Sequence, residues 1–385
     1  MRKLAIAFGV ASAAALAFFY VLPRAFDAVV NGVTGAGRHP VSARARAIFA
    51  SARVVDLHAD SLLWGRDLLS RGSRGAVDLP RLLAGNVALQ AFTLVTTTPR
   101  IMHLRGNRDD TDNIALLAFA QRWPAEARRS PFTRALYQAG KLDLLAERSG
   151  GAFTVIRSKR DLTSFLSRRA ADPHLAAGFL GSEGAQPLEG DLANLDALYA
   201  AGIRMMAPTH FTDTAVASSA HGVLGQGLTP LGRRWVRRME EKHMLIDLAH
   251  ASHGTIAEVL AVARLPLVVS HTGVRGTCDN DRNLTDDELR GIARTGGVVG
   301  IAYFKVAVCD ATPVGIARAI RHAATVAGVE HVGLGSDFDG AVKTPFDATG
   351  LIQLVDPLLA QGFTEQEIRL ILGENTLRVL GEVLE

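Results

Sequence analysis

Val54-Val55-Asp56-Leu57-His58-Ala59-Asp60 is an apolar, β-branched run that ends in two side chains able to hold a metal. Successive side chains of an extended strand alternate between faces, so His58 and Asp60, with one residue between them, point the same way. One strand end can therefore offer two ligands to a single cation. Alone, an HxD pair says little, because a packed histidine beside a turn-forming aspartate has the same sequence. Repetition along the chain gives it weight.

From residue 45 onward, short apolar runs alternate with longer amphipathic segments, the pattern of βα units and a parallel sheet. The candidate strands are 53–57, 87–95, 178–182, 203–207, 244–248, 266–270, 298–302 and 331–335. Eight such runs predict a closed (β/α)8 TIM barrel over residues 46–385. Helices are expected at 191–201, 229–243, 252–263, 285–295 and 312–327, several opened by a capping residue such as Asp191, Thr229, Ser252 or Thr285. The stretch 96–175 reads as an insertion, with helical patterns near 110–129 and 133–148 and a candidate ninth strand at 153–156. Segments 348–361 and 364–383 read as closing helices.

Polar residues fall at one end of these runs. His58 and Asp60 follow the first, Glu183 the third, His210 the fourth, His250 the fifth, His271 the sixth and Asp337 the eighth. All are C-terminal strand ends, which converge on one face of a barrel, where active sites are built. Three histidines with two carboxylates favour two divalent metals, and a glutamate can bridge a pair with its two oxygens. Asp337, in HVGLGSDFDG, is a candidate proton shuttle, whereas Asp339 reads as a turn cap. His210, in MMAPTHFTD, can donate to a developing oxyanion. Arg282, in DNDRNLTDDEL, can grip a substrate carboxylate. The remaining histidines, including His221, read as structural or solvent-exposed.

Met1-Arg2-Lys3 precedes an uncharged apolar run from Leu4 to Leu22. Its length approaches the ~20 residues of a membrane span, and Ala15-Leu16-Ala17 could serve a signal peptidase. Residues 1–24 are therefore expected to be a signal peptide or anchor, 25–45 a linker, and the barrel exported to the periplasmic or extracellular side. A net charge of +4, from 42 Lys+Arg against 38 Asp+Glu, is too small and too dispersed for nucleic-acid binding. The run Arg233, Arg234, Arg237, Arg238 reads as a solvated helix face. Cys278 and Cys309 are too few for a disulfide framework and can pair or stay free.

Taken together, VVDLHAD, FLGSEGA, RMMAPTH, GLTPLG, LIDLAHAS, VVSHTG, DRNLTDDEL and HVGLGSDFDG resemble the membrane dipeptidase (renal dipeptidase) family of zinc peptidases over roughly residues 50–380. The resemblance implies that the barrel is of the metal-dependent hydrolase type and holds two Zn2+ per chain, with His58 and Asp60 on one, His250 and His271 on the other, and Glu183 bridging. It implies that a metal-bridging hydroxide cleaves dipeptides, including those with a C-terminal D-residue. His210 and Arg282 match the family's substrate-binding residues and Asp337 its acid/base aspartate. A homodimer is implied as well. Three features depart from the family: QAFTLVTTTP lacks its aromatic pocket residues, Asp213 stands where asparagine is usual, and the 96–175 insertion diverges. Two other readings fit less well. A cyclic-amidase, lactonase or phosphotriesterase-like barrel would usually carry HxH and a bridging lysine; an inactive membrane-tethered binding protein would have lost ligands.

Overall fold

The computed structural model describes residues 2–385. Nine parallel strands make one curled sheet: β1 Val54–Ala59, β2 Val87–Leu94, β3 Phe153–Val155, β4 Ala176–Ser182, β5 Ile203–Met206, β6 Leu245–Ile246, β7 Val268–Thr272, β8 Val298–Ile301 and β9 Val332–Leu334. Their order is β6-β5-β4-β2-β1-β9-β8-β7. The two ends of that order meet through a parallel bridge between Asp247 and Val268, where Leu248 N–H donates to the Val268 carbonyl at 2.8 Å. The sheet thus curls into the expected barrel. Every residue of β1 and β2 is buried, as parallel strands with both faces covered must be.

β3 lies outside the eight-strand circuit. It pairs with the first half of β4, Ala176 to Gly178, while β5 takes the second half, Leu180 to Ser182. One edge of β4 is thereby shared end to end. Between β2 and β3 the chain makes the helices Asn113–Ala120 and Pro131–Arg148, the latter opened by a capping box of Ser130 and Thr133. Helices Pro230–Glu241, His253–Val262 and Asp286–Arg294 are capped by Thr229, Ser252 and Thr285, as their sequences predict. Asp191 differs: its carboxylate accepts from the N–H of Ala193, which is itself the N-cap of helix Asn194–Ala200.

At the C-terminus the expected single helix over 364–383 is two, Glu365–Arg369 and Asn375–Val383. A side chain at Gly373 would collide with the Arg53 carbonyl, so the helix opens there to let β1 pass. The helix Asn375–Val383 then buries Leu377, Leu380 and Val383 against the strands.

The N-terminal helix continues beyond the apolar run. Ile6–Val30 is long and apolar enough to cross a membrane, and its side chains from Leu4 to Leu22 are mostly exposed. Past Pro23 it meets the barrel. The buried Asp27 carboxylate accepts from the guanidinium groups of Arg66 (2.5 and 2.9 Å) and Arg74 (2.6 Å), and Val33 bridges Thr344. Cys278 and Cys309 form a disulfide joining the loops after β7 and β8.

Candidate metal centre

The strand ends bring the eight sequence-selected residues to one place, all of them buried. Glu183 is the hub. Its Oε1 lies 3.5 Å from His58 Nε2, 3.1 Å from His250 Nε2 and 3.5 Å from His271 Nε2, and its Oε2 lies 3.5 Å from His210 Nε2. His58 Nε2 is also 3.5 Å from Asp60 Oδ1 and 3.8 Å from Asp337 Oδ1. The ligand atoms fall into three overlapping groups with the spacing of metal sites: His58, Glu183 and His271; Glu183, His210 and His250; His58, Asp60 and Asp337.

A buried polar group normally finds a hydrogen-bond partner, yet His58 Nε2 has none although three carboxylates approach within 3.8 Å of it. His250 Nε2 and His271 Nε2 sit 2.9 Å apart, two lone-pair nitrogens aimed at one region. Three buried carboxylates, Asp60, Glu183 and Asp337, crowd the same volume against the single guanidinium of Arg282. Such a set costs free energy unless cations complete it. The donors, oxygen and imidazole, suit zinc or a similar divalent ion.

The protonation equilibria express the same strain. Burial works against the imidazolium of His58, but Glu183 and Asp60 overcome it and raise the group to about 10. Burial and Asp60 push Glu183 well above the ordinary carboxylate range. Asp337 rises to about 8, chiefly through burial, with Asp60 adding to it. His210, His250 and His271 are held well below the ordinary imidazole value, mainly by burial.

A second tier of polar groups, which sequence reading did not single out, aims these ligands. The Asp56 carboxylate accepts from His58 N–H (3.1 Å), Gln90 Nε2 (2.9 Å) and both Ser336 N–H and Oγ (2.9 Å each), tying β1 to β2 and β9. Asp247 accepts from Ala249 N–H and Ser270 N–H in the same manner between β6 and β7. Thr93 Oγ1 donates to Asp60 Oδ1 at 2.6 Å. Ser270 Oγ contacts His58 Nδ1 at 3.0 Å and His271 Nδ1 at 3.1 Å. With both Nε2 atoms turned to the centre, each Nδ1 carries its proton and donates to that oxygen, which has two lone pairs. The period-2 pattern could have flagged Asp56, which shares a face with His58. Ser270 carries no such signal.

The backbone is also committed. His250 (φ 63°) and Asp337 (φ 61°) occupy the left-handed region that non-glycine residues rarely adopt, a strain characteristic of functional sites. In β9's extension, a side chain at Gly335 would run into the Ser270 carbonyl, so glycine lets that strand approach β7.

Around the rim, Arg282 donates to the His271 carbonyl (2.7 Å) and Thr272 Oγ1 (3.1 Å), and faces a cavity of about 400 Å³ shared with Leu104, Arg105 and Asn280. Its loop is held by the disulfide and by Asn283, which donates to the carbonyls of Cys278 and Ala307. His221, expected to be structural or exposed, is buried, stacks on Phe211 at 4.9 Å and lies 5.1 Å from the His250 ring. Its Nδ1 donates to the Leu104 carbonyl, linking the insertion to the centre. Asp213 accepts from the N–H groups of Ser219, Val223 and Leu224 and shapes the loop that carries His221. Asp339 is more than a turn cap: it accepts from Ser61 Oγ and Ala76 N–H and pairs with Arg66.

Residues 42–385 match the family model described as membrane dipeptidase, peptidase family M19. Among solved structures, a metallopeptidase from Rhodobacter sphaeroides, liganded with a phosphinate mimic of the dipeptide L-Ala-D-Ala, is 24% identical over 86% of this chain and 99% of its own, with a TM-score of 0.72. The dipeptidase AC, a family M19 metallopeptidase, is 26% identical over 87% and 99%, with a TM-score of 0.71. The probable dipeptidase PvdM from Pseudomonas aeruginosa is 21% identical over 88% and 97%, with a TM-score of 0.73.

Proposed function

This chain belongs to the membrane dipeptidase family and is a metallo-dipeptidase, and we propose that it works with two zinc ions bridged by Glu183, accepts a C-terminal D-residue, and is held at the membrane by its N-terminal helix. The observation that carries the metal reading is the convergence of three imidazole Nε2 atoms on Glu183 Oε1, one of them without any hydrogen-bond partner. In this reading His58 and Asp60 hold one ion and His250 and His271 the other. Two zinc ions, when bound, supply Lewis acidity and a nucleophilic hydroxide near neutral pH.

The chain's own groups do the rest. Arg282 takes the substrate's free carboxylate in a charge-assisted pair, which restricts substrates to very short peptides. His210, on the Glu183 Oε2 side, donates to the oxyanion that develops as the amide carbonyl is attacked. Asp337 accepts a proton from the attacking water and passes it to the leaving amine. Burial of the whole set excludes bulk water and strengthens each of these interactions.

Support for a D-residue comes from the Rhodobacter relative, which was solved with an L-Ala-D-Ala mimic. Arg2 and Lys3 before the apolar helix favour a cytoplasmic N-terminus and an exported barrel. The test uses full-length protein: metal per chain, and hydrolysis of L-Ala-L-Ala and L-Ala-D-Ala before and after chelation. Two zinc per chain with chelator-sensitive cleavage of both is the expected result. Two metals without turnover of either dipeptide would discard the substrate assignment, and an inert, metal-free chain would discard the centre.

A further inference from the structure

We propose that the apolar rim beside the catalytic entrance is a membrane-seating surface, so that the bilayer itself covers it and holds the mouth of the metal centre at the lipid surface. The proposal rests on the N-terminal helix serving as the anchor.

The rim is assembled from three pieces that touch in sequence. The first is the helix Asn113–Ala120, whose outward residues Leu116 and Phe119 are 55% and 45% exposed. The second is the loop before it, where Ile101, Met102 and Leu104 are 67%, 47% and 54% exposed; Asn113 Nδ2 fastens the two by donating to the carbonyls of Pro99 and Arg100. The third is the loop bearing Val223 and Leu224, joined to the second by Gly106 N–H donating to the Gly222 carbonyl and Asn107 donating to the His221 carbonyl. Large apolar side chains gathered this way mark an interaction surface rather than ordinary solvent-exposed scatter.

The N-terminal helix says what covers them. Phe18 and Phe19 pack on Phe119 at 6.1 and 5.5 Å, so the apolar surface of the helix meets the rim at Phe119. Arg122 lies over the Tyr20 ring at 3.9 Å and Arg128 over Phe119 at 5.4 Å. Aromatic rings beside arginines are the composition of a bilayer interface, where the ring sits at headgroup level and the cation reaches phosphate. The ion pairs of Asp27 with Arg66 and Arg74 then lock the helix to the barrel and fix the height at which the rim meets the lipid.

The same loops border the entrance. Leu104 supplies the carbonyl that holds His221, and Arg105 pairs with Asp281, the neighbour of Arg282. Seating the rim would place the substrate-binding side against the membrane, favouring peptides released at its surface.

Tryptophan placed on the rim would report this as quenching in excess of that of the parent protein, whose own Trp64, Trp123 and Trp235 are buried. Full-length Met102→Trp, Leu116→Trp and Val223→Trp proteins would be reconstituted in phosphatidylethanolamine–phosphatidylglycerol vesicles containing shallow brominated lipid. Tyr20→Trp serves as the anchor control and His174→Trp, ahead of β4 at the opposite end of the barrel, as the solvent control. The expected result is quenching of all three rim variants to an extent comparable with Tyr20→Trp, and none for His174→Trp. Quenching at position 20 alone would overturn the seating while keeping the anchor. No quenching anywhere would overturn both. Rim emission that shifts with protein concentration but ignores bromine would assign the surface to a second copy of the chain and overturn the lipid assignment.

Discussion

The floor and the rim of the site are built by different means. On the floor, candidate ligands sit at strand ends and are aimed by buried groups of the same and neighbouring strands: Asp56 beneath His58, Asp247 beneath Ser270, and Ser270 beneath His58 and His271. At the rim, the working groups ride on loops from distant parts of the chain, and the Leu104 carbonyl, the Asp213 carboxylate and the Cys278–Cys309 bridge hold them. Floor positions follow from the barrel, so their spacing is set by strand pairing. Rim positions depend on contacts that a different insertion would replace, which is where substrate preference can change without disturbing the candidate ligands.

If that division holds, floor substitutions should alter chemistry or metal binding, and rim substitutions should alter substrate binding. The largest effect is expected for Asp337→Asn: kcat falls by roughly 10²–10⁴-fold while metal content and KM stay near wild type. Steady-state kinetics with metal analysis decides it, and full activity would remove Asp337 from proton transfer. Ser270→Ala comes next. One hydroxyl serves ligands of both proposed ions, so chelator competition should show both sites weakened together, by roughly 10–100-fold. Loss confined to one site would separate the two halves of the floor.

Asp213→Ala probes the rim. Three backbone N–H groups lose their acceptor, the loop carrying His221 loosens, and KM should rise several-fold with kcat and metal content little changed. A fall in metal content would show that rim and floor are one unit.

The smallest effect on activity concerns the seam between the insertion and the loop after β1. Lys141, donating to the Leu62 and Trp64 carbonyls, is pushed down to about 7, first by burial and then by Arg66. The unfolded chain keeps that proton to about pH 10.4, so between about pH 7 and 10 the unfolded state binds more protons and folding stability rises with pH. Below about pH 7 the lysine is charged in both states and the gain is absent. Lys141→Met should flatten this rise, seen as a pH-independent denaturant midpoint relative to wild type across that range, with activity unaltered.

How much could be read in advance follows the same line. HxD at the end of β1, Glu183 between glycines, His250 past β6 and His271 at the end of β7 were visible because a strand end is a local feature. The helix caps at Thr229, Ser252 and Thr285 were local as well. His221 was not, since nothing in SSAHG reveals that Phe211 and the Leu104 carbonyl will enclose it. Nor does the primary structure separate a linker from what residues 25–34 become, because Asp27 acquires its partners only when Arg66 and Arg74 fold beside it.

By itself, then, the order of residues determined the strand-and-helix alternation, the candidate ligands, the apolar N-terminal helix and the end of the barrel where those candidates gather. These rest on periodicity and on side chains near one another in the chain. Tertiary structure alone decided that Glu183 Oε1 is the common point of three imidazoles, that Ser270 links two of them, that the cysteines pair, and that the insertion forms the rim. Those relations join residues tens to hundreds of positions apart, and only closure of the sheet brings their atoms within a few ångströms.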